Sequence, residues 1–184
     1  MITSAAFDLE CTSLDANFGI VLCCVIQEEG KDPVILRGDE VNKQWDKKRS
    51  DDSQLVRLIC EHLSQFDILC AHNGNNYDVP FLRTRAAHWG LPPFTPGKLL
   101  DPCRLARSYF KMRSNSLDSL LDLIGDSTKT RVSGGLWLRA ALDGDRKAMD
   151  EIVEHCVLDV EMLMQLIDVV KPYVKVFNAY GSAQ

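Results

Sequence analysis

Two carboxylates lie two residues apart near the start of the chain, in the stretch "FDLE" at residues 7–10. If this stretch is a strand, Asp8 and Glu10 project on the same side, because alternate side chains of a strand share one face. Neighbouring carboxylates repel each other and are costly beside a core unless a cation lies between them. The spacing therefore fits a metal site, and it equally fits an exposed strand end that carries two acids.

A third carboxylate follows a run of turn-forming residues in "HNGNNYDVPFL", residues 72–82. The asparagines and Gly74 favour a turn, which predicts that Asp78 lies in or near the first turn of a helix. The alternative is that the acid has no catalytic role and simply complements the helix dipole. The neighbouring Tyr77 is either an ordinary packing residue or an aromatic platform on which a nucleic-acid base stacks.

A histidine and a fourth carboxylate occur in "EIVEHCVLDVEML", residues 151–163, where apolar residues recur at helical spacing. His155 and Asp159 are four residues apart, so they lie about 40° from each other around the helix axis. They fall at the margin of the apolar stripe. Such a pair is either a local surface contact or part of a cleft beside the core.

The elements that must position these residues are strands early in the chain and helices later. Apolar runs bounded by turn signals predict strands at residues 4–9, 18–27, 33–37, 67–73 and 98–102. Helical spacing predicts helices at about 54–66 and 78–89, from 103 onward with breaks at Gly125 and 128–135, and finally at 145–170. Ser53 or Asp52 is expected to cap the first helix, and residues 39–53 are expected to form a polar loop. This order predicts an α/β protein with a mixed sheet, in which ligands gather beyond the carboxyl ends of strands.

The composition is that of one globular domain, residues 1–184, with a C-terminal tail from about residue 172. A net charge of −5 argues against a general nucleic-acid coat protein, but not against an enzyme that handles one strand end. The seven cysteines are scattered without a CxxC pair, which predicts reduced cysteines in a cytoplasmic, intracellular protein. No apolar run suits a membrane span or a secretory signal, so we expect no membrane partner.

Taken together and in this order, the motifs resemble those of the DEDD (DnaQ-like) 3′–5′ exonuclease superfamily over nearly the whole chain. "FDLE" resembles the Asp-x-Glu motif, and Asp159 ends the third motif. The second motif, "NGNNYDVPFL", and the stretch "NSLDSLLDLIG" at 115–125 are similar to the proofreading domain of family-B DNA polymerases. The resemblance implies a ribonuclease H-like fold. Its mixed five-stranded sheet has the order 3-2-1-4-5, with strand 2 antiparallel and helices on its flanks.

The resemblance also implies two divalent ions, Mg²⁺ or Mn²⁺, which suit carboxylate ligands. Asp8 would touch both ions, Glu10 and Asp159 would hold the first, and Asp78 would support the second, directly or through water. The implied reaction is hydrolysis of single-stranded nucleic acid, DNA rather than RNA, from its 3′ end to release nucleoside 5′-monophosphates. A polymerase or another replication or repair protein is an expected partner.

Several residues are candidates for holding the strand. Leu14, Phe18 and Tyr77 are expected to contact the terminal base, and Asn73 matches a family position that helps to place the strand. Six basic residues are either contacts to the nucleic-acid backbone or a solvated face: Arg104, Arg107, Lys111, Arg113, Lys129 and Arg131.

The third motif departs from both branches of the family. One branch has tyrosine four residues before the last aspartate and the other has histidine five residues before it, whereas His155 lies four before Asp159. An imidazole titrates near neutral pH and can orient or deprotonate the attacking water.

Two other functions are alternatives to an active 3′–5′ exonuclease. One is a catalytically weak or inactive nucleic-acid-binding module that retains the fold. The other is another ribonuclease H-like nuclease, either an RNA exonuclease or an endonuclease.

Overall fold

A mixed five-stranded sheet forms the centre of the molecule. The computed structural model describes residues 2–125 and 133–173. The strands are β1 (Ser4–Cys11), β2 (Val21–Glu28), β3 (Val34–Arg37), β4 (Ile68–Cys70) and β5 (Lys98–Leu100). Their order is β3-β2-β1-β4-β5. Strand β2 runs antiparallel to β1 and β3, whereas β4 runs parallel to β1 and β5, which confirms the predicted sheet.

Helices flank this sheet, and most of them follow the predicted pattern. They are α1 (Gly38–Val41), α2 (Ser53–Leu63), α3 (Asp78–His88), α4 (Pro102–Tyr109), α5 (Leu117–Leu123), α6 (Leu136–Leu138) and α7 (Arg146–Val170). A π-helical turn, Arg139–Asp143, follows α6, and a 3₁₀ turn, Lys171–Tyr173, follows α7. None of the helices in the described ranges is long and apolar enough to cross a membrane.

The two faces of the sheet have separate cores, and the alternation of β1 decides which face receives the acids. Phe7 and Leu9 belong to the core beneath α2 and α3. Ala6, which has the opposite parity, belongs to the core beneath α7. Because side chains alternate along a strand, Asp8 and Glu10 point to the same side as Ala6, toward α7.

The segment expected to be a polar loop at 39–53 is more ordered than predicted. It begins with α1 and contains the buried Trp45. A Cβ at Gly38 would lie 2.7 Å from the Trp45 ring, so the ring packs where only glycine leaves space. Residues 42–52 form neither helix nor strand, as predicted, whereas α1 and the burial of Trp45 were not predicted. An apolar anchor in a mostly polar stretch has no periodic partner in the sequence.

The expected cap of α2 also has a different role. Neither Ser53 nor Asp52 caps the helix through its side chain. Instead, buried Asp52 accepts hydrogen bonds from the Val21 amide (2.9 Å), from Arg85 Nη2 (2.6 Å) and from Trp89 Nε1 (2.6 Å). Arg85 lies on α3, so this buried ion pair fixes α3 against the start of β2 and α2.

Other differences concern boundaries. β2 begins at Val21, which leaves Phe18 in the loop after β1, and β4 and β5 are shorter than predicted because their last polar residues turn away from the sheet. The last helix begins one residue later than predicted, because Asp145 caps it by accepting from the Ala148 amide at 3.1 Å. Lys129, Arg131 and residues 174–184 of the expected tail lie outside the described residues.

Candidate active site

Four carboxylates from three elements converge at the carboxyl end of β1. Ligand atoms of Asp8, Glu10 and the Cys156 thiol lie within 4.8 Å of one another. The pKa of Asp8 is raised well above its ordinary value, first by burial and then by the charges of Asp78, Glu10 and Asp159. Each of these acids is therefore close enough to Asp8 to oppose its ionisation. The structure brings together all four acids that the sequence singled out.

Asp78 is the first residue of α3 and is the most deeply buried of these acids, with 2% of its surface exposed. Burial raises its pKa to about 7, while hydrogen bonds from its own backbone amide and from that of Leu9 act in the opposite direction. Its Oδ1 atom accepts no hydrogen bond from the described part of the chain. A buried oxygen without a donor is costly and calls for a ligand.

The loop that leads into Asp78 is held by a residue that the sequence reading missed. Asp101 caps α4 by accepting from the Cys103 amide at 3.0 Å, and it also accepts from the amides of Asn73 (2.9 Å) and Asn75 (3.3 Å). Asn73 itself has a positive φ of 61°, a conformation that asparagine tolerates better than most residues. The Asp-Pro pair at 101–102 is a helix-start signal, but its link to the loop depends on the fold.

Trp137 is a second residue that sequence reasoning missed. Its indole Nε1 donates a hydrogen bond of 2.7 Å to Glu10 Oε2. The same ring meets the His155 ring edge to face, at a centroid distance of 6.4 Å and an angle of 84°. Trp137 therefore orients both a carboxylate and the imidazole. Nothing in the spacing around α6 marks this role.

His155 lies between two of the acids. Its Nε2 atom is 3.9 Å from Glu10 Oε1 and 3.7 Å from Asp159 Oδ2, beyond direct hydrogen-bond distance in both cases. Its Nδ1 atom is buried and has no hydrogen-bond partner among residues 2–125 and 133–173. The imidazole thus presents Nε2 to the carboxylate cluster.

The Cys156 thiol lies within the cluster, but it is poorly suited to bind a hard cation. Its thiol lies 3.5 Å from both the carbonyl oxygen and Oδ2 of Asp8, to which it donates. Burial raises the pKa of this thiol well above its ordinary value, so it remains protonated. A thiol is also a soft donor, which does not suit a hard cation such as Mg²⁺. The candidate ligands for such a cation are therefore the four carboxylates, and their role as ligands stays a prediction.

This set of donors fits Mg²⁺ or Mn²⁺. Both ions prefer carboxylate oxygens, and the cluster offers several of them at one end of a sheet. Burial raises the pKa of both Asp8 and Asp78; the charges of the three other acids raise that of Asp8 further, and the charge of Asp101 raises that of Asp78. A bound cation would relieve the repulsion around Asp8. The orphaned Asp78 Oδ1 would gain a partner in the same way.

The predicted substrate-binding residues differ in their exposure and in their contacts. Leu14 and Phe18 lie in the loop after β1 and are 84% and 83% exposed. Tyr77 is half-buried, packs on the Phe81 ring at 5.6 Å and donates to the Ser13 carbonyl at 3.3 Å. Tyr77 therefore supports the loop that carries Leu14 and Phe18, and its contact with a base stays a prediction, as do those of the other three.

The mixed sheet, with acids clustered at the end of its central strand, is a nuclease-type fold. The chain belongs to the RNase H superfamily, whose family model matches residues 5–171. Its mixed sheet, with acids at the end of β1 and on the helix that packs over it, fits that assignment.

Two polymerases are among the proteins similar to this chain. A DNA polymerase of Methanocaldococcus jannaschii is 25% identical over 118 residues, which make up 61% of this chain and 7% of that protein. The family B DNA polymerase from the hyperthermophilic archaeon Pyrobaculum calidifontis superimposes with a TM-score of 0.74 at 15% identity, and the match covers 94% of this chain and 25% of that structure. The chain thus spans a quarter or less of these relatives, and the structural match bears on the fold alone.

Proposed function

We propose that this chain is a metal-dependent 3′–5′ exonuclease that shortens single-stranded nucleic acid, preferentially DNA, and releases nucleoside 5′-monophosphates. The observation that carries the proposal is the convergence of Asp8, Glu10, Asp78 and Asp159, each on or next to a rigid element. A module without metal chemistry gains nothing from four clustered acids, because each additional charge makes the others more costly to bury.

Asp8, Glu10, Asp78 and Asp159 would hold the ions, and Asp8 is central because the other three raise its pKa. Two bound divalent ions would supply an acidified water, charge neutralisation at the scissile phosphate and stabilisation of the leaving 3′ oxygen. Trp137 keeps Glu10 in place, and the Cys156 thiol does the same for Asp8.

His155 would orient the attacking water or accept its proton at Nε2. Its Nε2 atom lies 3.7 and 3.9 Å from the two flanking acids, so a water bound at these acids would be within reach of the imidazole. Leu14 and Phe18, in the loop after β1, would offer exposed apolar surface to the terminal base. Tyr77 supports that loop through its bond to the Ser13 carbonyl, and Asn73 lies in the loop that leads into Asp78. An unpaired terminal nucleotide meets these groups most easily, which supports a single-stranded substrate.

The direct test is cleavage of a 5′-labelled single-stranded oligonucleotide with Mg²⁺ or Mn²⁺. We expect a ladder of shortened products, 5′-monophosphates in the released fraction, and loss of activity on addition of EDTA. Asp8→Ala should lower the rate by at least about 10³-fold, since it removes the central ligand. The matched control is Asp32→Asn in the exposed β2–β3 turn, which should cleave at the wild-type rate. Absence of a ladder on both DNA and RNA would sink the proposal.

A catalytically weak nucleic-acid-binding module is the second candidate. The observation that favours it is His155, which combines an unusual spacing with an Nδ1 atom that lacks a partner within the described ranges. Single-strand binding without metal-dependent cleavage would support this module. Cleavage of a circular single strand would instead indicate an endonuclease, because an exonuclease needs a free end.

A further inference from the structure

Basic side chains are concentrated in one stretch of an otherwise acidic chain. Between Asp101 and Asp118 the sequence contains no acid, although the net charge of the whole chain is −5. Four basic residues lie in that stretch: Arg104, Arg107, Lys111 and Arg113. The local charge is thus opposite in sign to that of the molecule, which is the arrangement that attracts an anionic polymer to one place.

All four basic side chains are exposed to solvent. Arg104 and Arg107 lie three residues apart on α4, whose other side is buried. After α4 the backbone is extended at Phe110, and the side chains alternate: Phe110 and Met112 pack against the core, while Lys111 and Arg113 are exposed. None of the four has an ion-pair partner in the part of the chain that the structure describes.

Two partly exposed tyrosines are the aromatic residues of this surface. Tyr109 ends α4 and Tyr173 follows α7, and they are 39% and 43% exposed. Their ring centroids lie 5.7 Å apart, and Phe110 meets Tyr173 edge to face at 5.0 Å. Two partly exposed rings are therefore in contact with each other, and one of them, Tyr109, lies in the basic stretch between Arg107 and Lys111. Aromatic rings that already pack against other rings lose little conformational entropy when a nucleobase stacks on them.

We propose that this basic–aromatic surface binds a single-stranded polynucleotide through its phosphates and base faces. The surface is defined by Arg104, Arg107, Tyr109, Lys111, Arg113 and Tyr173. Clustered basic side chains with aromatic rings among them are the combination that binds single strands independently of their sequence. An acidic peptide would use the charges but would leave the rings without a partner.

The surface begins close to the carboxylate cluster. Asp101, which caps α4, also holds the Asn73 amide at 2.9 Å, so α4 begins beside the loop that leads into Asp78. With its eight residues α4 is about 12 Å long, so the basic residues on it and after it extend over more than one nucleotide of a strand. The strand that the surface holds would be the one whose 3′ end lies among the acids. This direction rests on the proposed exonuclease function, whereas the binding itself does not.

Fluorescence anisotropy of labelled dT and rU oligonucleotides of about 12 residues tests the surface, with EDTA present so that cleavage plays no part. The test variant carries Lys111→Gln and Arg113→Gln. The matched control carries Lys47→Gln and Lys48→Gln, which are exposed elsewhere and give the same net charge. We expect the test variant to bind at least about tenfold more weakly, and its log–log salt slope to fall by about 0.7 for each lost phosphate contact. The control should bind within about twofold of the wild type.

The rings are tested separately. Tyr109→Ala should weaken binding at least about fivefold, whereas Tyr109→Phe, which keeps the ring, should bind as the wild type does. Equal thermal midpoints of Lys111→Gln/Arg113→Gln and wild type would show that the fold is intact. Equal losses in both charge variants, no loss in either, or equal binding of an acidic peptide of the same charge would overturn the proposal. Since no metal or cleavage enters the assay, an inactive nuclease would leave these results unchanged.

Discussion

At the scale of single residues, the site is a set of groups that are costly to hold without a cation. Asp78 is buried and Asp8 is half-buried, the pKa values of both are raised, and Asp78 Oδ1 has no donor within residues 2–125 and 133–173. The positions of these acids on β1 and at the start of α3 were predictable because alternation along a strand and the strand–turn–helix at Asp78 depend only on local spacing. Their role as metal ligands came from the family resemblance and stays a prediction. Trp137 was not predictable in this way, since its bond to Glu10 joins residues that are 127 positions apart.

The acid Asp78 should make the metal-free protein less stable as pH rises. Because burial raises its pKa from 3.8 to about 7, the folded state holds a proton that the unfolded chain has lost. The associated stability is present below about pH 4 and is lost as the pH rises to about 7. Thermal unfolding in EDTA should therefore show Asp78→Asn to be more stable than the wild type at about pH 8, with a smaller difference at about pH 5. Each tenfold change in proton affinity corresponds to about 1.4 kcal/mol.

The control for this measurement is Asp32→Asn, which removes an exposed carboxylate and should shift the midpoint equally little at both pH values. Saturating Mn²⁺ should reverse the order, because the wild type then gains ligand-binding free energy that Asp78→Asn lacks. A metal-free Asp78→Asn protein that is less stable than the wild type at about pH 8 would contradict the assigned cost of this acid.

His155 should affect turnover more than metal binding. Removing a group that orients or deprotonates water typically lowers kcat by about 10²–10⁴-fold. We therefore expect His155→Ala to lose kcat to this extent while calorimetric affinity for Mn²⁺ stays within a few-fold of the wild type. His155→Tyr should recover part of the activity, because a phenol at the same position can also contact the water. An Ala variant with nearly normal kcat would assign His155 to the helix edge.

At the scale of elements, the site depends on how the ends of strands and helices are tied together. The predicted strands and the long helix α7 are confirmed, because apolar periodicity is a local property. The buried Asp52–Arg85 pair and the double use of Asp101 were not predicted, because each joins segments that have no shared pattern in the sequence. The π-helical turn after α6 was also missed, although its position beside Trp137 matches the tendency of such turns to occur near functional sites.

Asp101 provides a test at this scale. Asp101→Ala removes the α4 cap and the acceptor for the amides of Asn73 and Asn75, so the loop before Asp78 should loosen. We expect a loss of about 1–3 kcal/mol in the free energy of unfolding, measured with denaturant, and a lower affinity for Mn²⁺. Ser116→Ala is the matched control, since it removes the side-chain cap of a different helix, α5. It should lose about 1 kcal/mol and keep its metal affinity. Equal metal affinities in both variants would separate Asp101 from the site.

At the scale of the whole molecule, the fold is that of the RNase H superfamily and the site lies where such a sheet gathers its ligands. The strand order followed from the family resemblance of three motifs rather than from composition. The basic–aromatic surface belongs to the same scale, since its charges are visible in the sequence but their contact with Tyr173 appears only when α4 and α7 are packed together. The chain thus presents an acidic centre and a separate basic surface.

The most direct measurement of the central claim is anomalous diffraction from a crystal of the wild-type protein soaked in Mn²⁺. We predict two manganese peaks, both bounded by carboxylate oxygens of Asp8, Glu10, Asp78 and Asp159, with the Cys156 sulfur uncoordinated. A soak of Asp8→Ala serves as the control and should lose the peaks while other surface manganese remains. A wild-type crystal that shows no manganese among these four acids would contradict the account.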